Sequence, residues 1–216
     1  LAEYLQNEYG YDASNTFVAG MSNGAEMSYK LACETDGFFN AIAPVAGTMF
    51  GVSWTSCDPN PMPVLEIHGT NDNVTLWDGD YNDTYWGPYP GIEEVIDFWV
   101  GENDCINNED IVLQNMNTIK HRYFDCNDNT EVWLYEVMGG GHDWPGYSSH
   151  EIWDFFSQYI FSLGDINGDD IINILDVIQV VNLILINEYE QNGDLNQDEV
   201  INVLDVIQLV NIILTN

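Results

Sequence analysis

The chain has very little positive charge. Lys30, Lys120 and Arg122 stand against 36 acids, for a formal net charge of −33. A surface this acidic repels nucleic acid and anionic membranes and suits salty water or multivalent cations. Long apolar runs are also missing, and none approaches the ~20 residues of a membrane-spanning helix. Cysteine is sparse. Cys33, Cys57, Cys105 and Cys126 show no CxxC spacing, which argues against zinc or thiol redox use. Four cysteines allow three pairings, of which the most local, Cys33–Cys57 with Cys105–Cys126, is the expected one. No signal peptide is visible, but the chain opens on Leu1 inside the helix-like "LAEYLQNEYGYD". The expectation is a piece of a longer polypeptide whose leader lies elsewhere.

What is present fills 216 residues, enough for one medium domain and one small one. The organisation changes near residue 163, so the domains read as 1–162 and 163–216. In the first, "TFVAG" (16–20), "AIAPVAG" (41–47), "PVLEIHG" (63–69) and "EVWLYEV" (131–137) read as buried strands. Helices separate them: "GAEMSYKLACE", "GIEEVIDFWVG" and a closing "SSHEIWDFFSQYIFSL". The last carries an expected capping box at Ser148 and Glu151 and an apolar face of Ile152, Phe155, Phe156 and Tyr159. Apolar strands alternating with helices predict an α/β fold, a parallel sheet covered on both faces. About four strands are expected, with the first half of the sheet outside this chain.

At the end of the first strand stands Gly20-Met21-Ser22-Asn23-Gly24, just before a helix. Gly-x-Ser-x-Gly in that place reads as a nucleophile elbow, a tight turn that lifts the serine Oγ above the sheet. The two glycines are expected to make room for it. A serine needs a base, and the base an orienting acid. In a fold of this class these follow in the order Ser…Asp…His, at the ends of later strands. "PVLEIHG" runs into Thr70-Asn71-Asp72, and "EVWLYEV" into "MGGGHDWPG", so Asp72 and His142 are the candidates. The glycines before His142 suggest a backbone passing close by something. His68 reads as structural, and His121 and His150 as surface residues.

After residue 163 the chain repeats itself. Residues 165–186 and 194–215 are identical at 14 of 22 positions. Acids and amides recur at loop positions 1, 3, 5, 9 and 12: Asp165, Asn167, Asp169, Asn173 and Asp176, then Asp194, Asn196, Asp198, Asn202 and Asp205. Hard oxygens at those spacings, with a carbonyl at position 7, can wrap one calcium ion per loop, two in all. The helices that follow are apolar on most sides (Val177, Ile178, Val181, Ile184, Leu185), so each is expected to bury the other.

This half resembles the dockerin family, whose paired calcium-loop–helix repeats tether secreted polysaccharide-degrading enzymes to cohesin modules. Position 6, usually glycine in such loops, is Asp170 and Glu199 here, and each needs an unusual backbone. "GMSNGA", "HGTND" and "GGGHDWPG" together resemble the esterase family of poly(3-hydroxybutyrate) depolymerases and feruloyl and acetylxylan esterases. That resemblance covers nearly all of residues 1–160 and implies an α/β-hydrolase. By position it makes Ser22 the nucleophile, Asp72 the acid, His142 the base and the Asn23 N–H one oxyanion donor. It implies no cofactor for catalysis, and it also implies the Cys105–Cys126 bridge.

The function expected is an extracellular serine esterase acting on feruloyl or acetyl esters of polysaccharides, with a cohesin-type module as possible partner. Trp77, Trp86 and Trp144, with Tyr85 and Tyr89 nearby, are the candidates for stacking on an aromatic acid or a sugar ring. Other readings are a polyester depolymerase, a peptidase on the same fold, and a non-catalytic surface protein built on a decayed hydrolase.

Overall fold

The computed structural model describes residues 1–9, 15–35, 37–160, 162–169, 171–196 and 198–215, the side chains of residues 52 and 115 apart. Asp170, at position 6 of the first loop, lies outside them. The chain divides into two compact units, Leu1–Tyr159 and Ile160–Asn216. Among the described residues no helix is long and apolar enough to cross a membrane.

The first unit runs α1 (Ala2–Tyr9), β1 (Phe17–Met21), α2 (Asn23–Glu34), β2 (Ala41–Val45), α3 (Val52–Thr55), β3 (Val64–Gly69), α4 (Ile92–Glu102), β4 (Asn107–Leu113), β5 (Thr118–Phe124), β6 (Val132–Val137) and α5 (Ser148–Ser157). The sheet order is β1-β2-β3-β6-β5-β4. β1, β2, β3 and β6 are parallel, and their apolar residues fill both faces. Because side chains alternate across a strand, Ile42, Val64, Val132 and Leu134 pack on Tyr29 of α2 and Ile96 and Trp99 of α4. Their neighbours Ala43, Leu65, Ile67, Trp133 and Tyr135 pack on Ile152, Phe155 and Phe156 of α5. Glu66 and His68 share the α2 side of β3 with Val64.

The sheet has six strands where sequence suggested four, and it is mixed. β4 and β5 form an antiparallel hairpin. β4 escapes the periodicity because it is Asn-Asn-Glu-Asp over its first four residues and exposed along most of its length. Cross-strand chemistry replaces burial: Arg122 on β5 reaches Glu109 on β4 at 2.8 Å. The register that pairs Asn107 with Phe124 also sets Cys105 opposite Cys126, and these two form a disulfide, as do Cys33 and Cys57.

The capping box on α5 is not formed. Tyr147 is the N-cap, the Ser148 hydroxyl is buried without a partner, and Glu151 instead accepts the Tyr135 hydroxyl at 2.6 Å. Burial of Ser148 in the first turn keeps its side chain from turning outward to cap.

The second unit carries α6 (Ile174–Ile186) and α7 (Val203–Thr215). Val177, Val180, Leu195 and Leu209 form its core. The helices bury less of each other than their composition suggested. Ile174, Leu175, Ile178 and Leu185 are exposed, and so are Val203, Leu204, Ile207 and Leu214 at the same positions of the second repeat.

Candidate active site and calcium loops

β1 passes into α2 through one residue. Ser22 sits at φ 56°, ψ −118°, and its side chain does not cap the helix. A positive φ with a β-carbon is strained, and such strain concentrates at functional sites. Neighbouring backbone is what holds the turn. A β-carbon on Gly20 would lie 2.5 Å from the Gly24 carbonyl carbon, and one on Gly47, just past β2, would lie 2.4 Å from Ala25 Cβ. Gly24 itself faces open space, so the pattern's two glycines do not share one duty. Ala25 and Glu26 donate to the Ser22 carbonyl. Asn23 is the first helical residue, where an N–H has no acceptor within the helix.

β3 and β6 are adjacent and parallel, so their C-terminal loops emerge side by side. The glycines of "MGGGH" are pressed against β3: a β-carbon on Gly69 would lie 2.3 Å from the Gly140 carbonyl oxygen. Asn71 N–H donates to that same oxygen at 2.8 Å, and Gly139 N–H to Thr70 Oγ1 at 2.8 Å. Thus locked, the loops bring Asp72 and His142 together. Asp72 is buried; its Oδ1 accepts the N–H groups of Val74 (2.8 Å) and Thr75 (3.0 Å), and its Oδ2 lies 2.8 Å from His142 Nδ1. Glu26, one turn into α2 from Ser22, is raised in pKa chiefly by desolvation, and the charge of His142 pulls it back. The imidazole is therefore within electrostatic reach of the elbow helix. A cleft of about 390 Å³ opens there, lined by Asn23, Glu26, Met27, Lys30 and Phe50 among others.

Behind Asp72 lies a polar group that sequence assigned only in part. His68 is buried; its Nδ1 lies 2.9 Å from Glu66 Oε1 and its Nε2 2.9 Å from the Thr75 carbonyl. Tyr29 donates its hydroxyl to Glu66 Oε2 at 2.9 Å. The one signal in the sequence was an acid inside an otherwise apolar strand. Of the aromatic candidates, Trp86 and Trp144 are exposed, and the Trp144 indole donates to Ser149 Oγ at 3.2 Å. Tyr85 is exposed beside Trp86. Trp77 packs against the core, its ring 6.1 Å from that of His68, and Tyr89 is buried against Phe50. His121 bridges Asp110 and Glu136 at the hairpin.

In the second unit the two loops repeat one hydrogen-bond plan. Asp169 N–H and Asp198 N–H donate to Oδ1 of Asp165 and Asp194. The amides of Asn167 and Asn196 donate to Asp169 and Asp198 at 3.1 and 2.9 Å. At position 9, Asn173 and Asn202 each accept an N–H two residues on, both at 2.8 Å, so their oxygens are engaged at the helix starts. At position 12, Asp176 and Asp205 are fully buried and fold the loops by accepting backbone N–H groups such as those of Asn173 and Asn202. Glu199 at position 6 has φ 65°.

Residues 163–214 match the Dockerin type I domain family. The C-terminal unit is a dockerin domain. Such domains bind calcium, and the donor chemistry of this one fits a hard cation. Residues 160–216 hold ten acids and no Lys, Arg or His. Asp165, Asp176, Asp194 and Asp205 are all buried. No three acidic, histidine or cysteine side chains among the described residues yet converge at metal-binding distance.

The sequence is 23% identical to a bifunctional acetylxylan esterase/xylanase of Neocallimastix patriciarum, over 74% of this chain and 22% of that protein. It is 28% identical to feruloyl esterase B of Piromyces equi, over 68% of this chain and 28% of that one. The chain thus spans less than a third of the length of either relative. An acetyl xylan esterase from Aspergillus awamori superposes with a TM-score of 0.51 at 17% identity, over 72% of this chain and 64% of that one. The first unit has the α/β-hydrolase fold that sequence predicted.

Proposed function

We propose that the hydrolase unit is a serine esterase acting on feruloyl or acetyl esters of polysaccharides, and that the dockerin domain tethers it to a cohesin-type module. The observation that carries this reading is the Asp72–His142 pair at 2.8 Å, on loops locked to each other; Ser22, held at φ 56° where β1 passes into α2, supplies the nucleophile. Ser22 Oγ attacks the ester carbonyl and His142 Nε2 takes its proton. Asp72 holds the imidazolium through Nδ1, and His142 then returns the proton to the leaving alcohol. The Asn23 N–H, at the positive end of α2, stabilises the oxyanion; one such donor is worth about 10²–10³ in rate. Trp86 and Trp144 offer exposed faces for an aromatic acid or a sugar.

The domains are assigned as 1–162 and 163–216, with two calcium ions in the second, one per loop. The apolar positions exposed in equivalent places of both repeats give the dockerin a surface for its partner. Two disulfides suit an extracellular, oxidising setting.

The test is hydrolysis of methyl ferulate and 4-nitrophenyl acetate by the chain and by Ser22→Ala. The variant should lose at least ~10⁴-fold in kcat/KM. Equal rates for the two proteins would overturn the reading and favour a decayed hydrolase. Turnover of poly(3-hydroxybutyrate) in preference to both esters would favour the polyester reading.

A further inference from the structure

The triad uses Asp72 from one side only. On the other side a second imidazole faces the same oxygen: His68 Nε2 lies 3.5 Å from Asp72 Oδ2, the atom that meets His142 Nδ1 at 2.8 Å. The protonation of His68 follows from its partners. A backbone carbonyl only accepts, so Nε2, 2.9 Å from the Thr75 oxygen, carries a hydrogen. Nδ1 faces Glu66 Oε1 at 2.9 Å. Burial raises the Glu66 pKa; against it, the bond and charge of His68, the Tyr29 hydroxyl and a backbone bond from Gly47 all favour the carboxylate, and that places the shared proton on Nδ1. Burial alone would push His68 down, but the bond and charge of Glu66, the Thr75 carbonyl and Asp72 together raise its pKa. All four side chains of this chain of contacts, from Tyr29 through Glu66 and His68 to Asp72, are buried, with Asp72 the most accessible at 5%.

We propose that His68 is a positioning residue for the triad: an imidazolium held by Glu66 that braces the Asp72 carboxylate from behind while His142 takes it from the front. This rests on the esterase reading of Ser22, Asp72 and His142. Asp72 then answers to two rings at once. Its Oδ1 is fixed by backbone, and rotation of its Oδ2 away from His142 would also take it from His68. The positive charge behind Asp72 offsets part of the carboxylate's pull on a proton at His142, which favours the neutral imidazole a general base requires. The groups facing His68 are Glu66 on β3, Asp72 on the following loop and, across Glu66, Tyr29 on α2; Trp77 adds an uncharged ring. Those acting on His142 are Asp72 and, from α2, Glu26.

Glu66→Gln separates charge from shape. The amide can accept from Tyr29 and donate to His68 Nδ1, which leaves His68 neutral with its Nε2–H in place. Nitrogen-15 NMR of the histidine rings, on the chain as it stands, reads the outcome without turnover. At pH 7 both His68 ring nitrogens should be protonated in the parent, and only Nε2 in Glu66→Gln. His68→Gln should lower kcat roughly tenfold with KM within about twofold, since orientation and not binding is lost. A neutral His68 in the parent at pH 7, or the same His68 ring protonation in parent and Glu66→Gln, overturns the proposal. If His68→Gln does not fold, the Glu66→Gln spectra decide alone. Failure of the esterase reading would show separately, as hydrolysis indifferent to Ser22→Ala.

Discussion

In the hydrolase unit, Asp72 accepts two backbone N–H groups on Oδ1, from Val74 and Thr75. In the dockerin domain, Asp165 does the same with Gly168 and Asp169, at 2.9 and 3.2 Å. The local device is identical: a short acid ties down the turn that follows it. What surrounds the device differs. Around Asp72 the chain supplies two imidazoles, those of His68 and His142. Around Asp165 and Asp194 stand further acids, in a stretch that has no basic residue at all. One unit meets its acid with side chains of its own, and the other has no positive side chain to offer.

The largest test of that contrast is removal of calcium. Each loop carries Asp at positions 1, 5 and 12, and drawing these onto one point costs repulsion unless a cation sits among them. Ion binding therefore contributes directly to folding free energy. Excess chelator should abolish the circular dichroism of α6 and α7 and leave the hydrolase unit's thermal transition where it was. A helical signal unchanged by chelator would break the comparison. The converse test acts on the other unit. Its disulfides close loops of 24 and 21 residues in sequence separation, each worth about 3 kcal/mol in the chain-entropy account. Replacing Cys105 and Cys126 by Ser should lower the hydrolase unit's unfolding free energy in denaturant by about that much and leave the calcium-loaded dockerin's unmoved.

The same contrast explains what was legible in the sequence. The elbow, the order of Asp72 and His142, the four parallel strands and the repeat could be read because each is fixed by local chemistry: a turn, a strand end, a ligand spacing. β4 was missed since its residues are polar and its pairing rests on Arg122 and a disulfide across the hairpin. The capping box at Ser148 failed because Tyr135, distant in sequence, claimed Glu151. Glu66 and Tyr29 stayed hidden for the same reason, as 37 positions separate them. Long-range polar pairing has no period, and it is where reading a chain alone stops.

The smallest test concerns strain. Ser22 and Glu199 both hold a positive φ, 56° and 65°. At Ser22 the conformation serves the proposed nucleophile, so the side chain cannot be given up for an easier backbone. Glu199 has no such duty. Its N–H donates to Asp194 Oδ2 at 2.8 Å, a bond that any residue in that position could make, while its carboxylate adds one more charge to the acidic loop. A side chain at positive φ costs roughly 1–2 kcal/mol, and glycine returns some of that through its freer unfolded state. Glu199→Gly should therefore stabilise the calcium-loaded dockerin by about 0.5–1 kcal/mol in urea denaturation. A loss of stability would mean that the Glu199 side chain is itself engaged in the loop, and that its charge is part of how the loop is held.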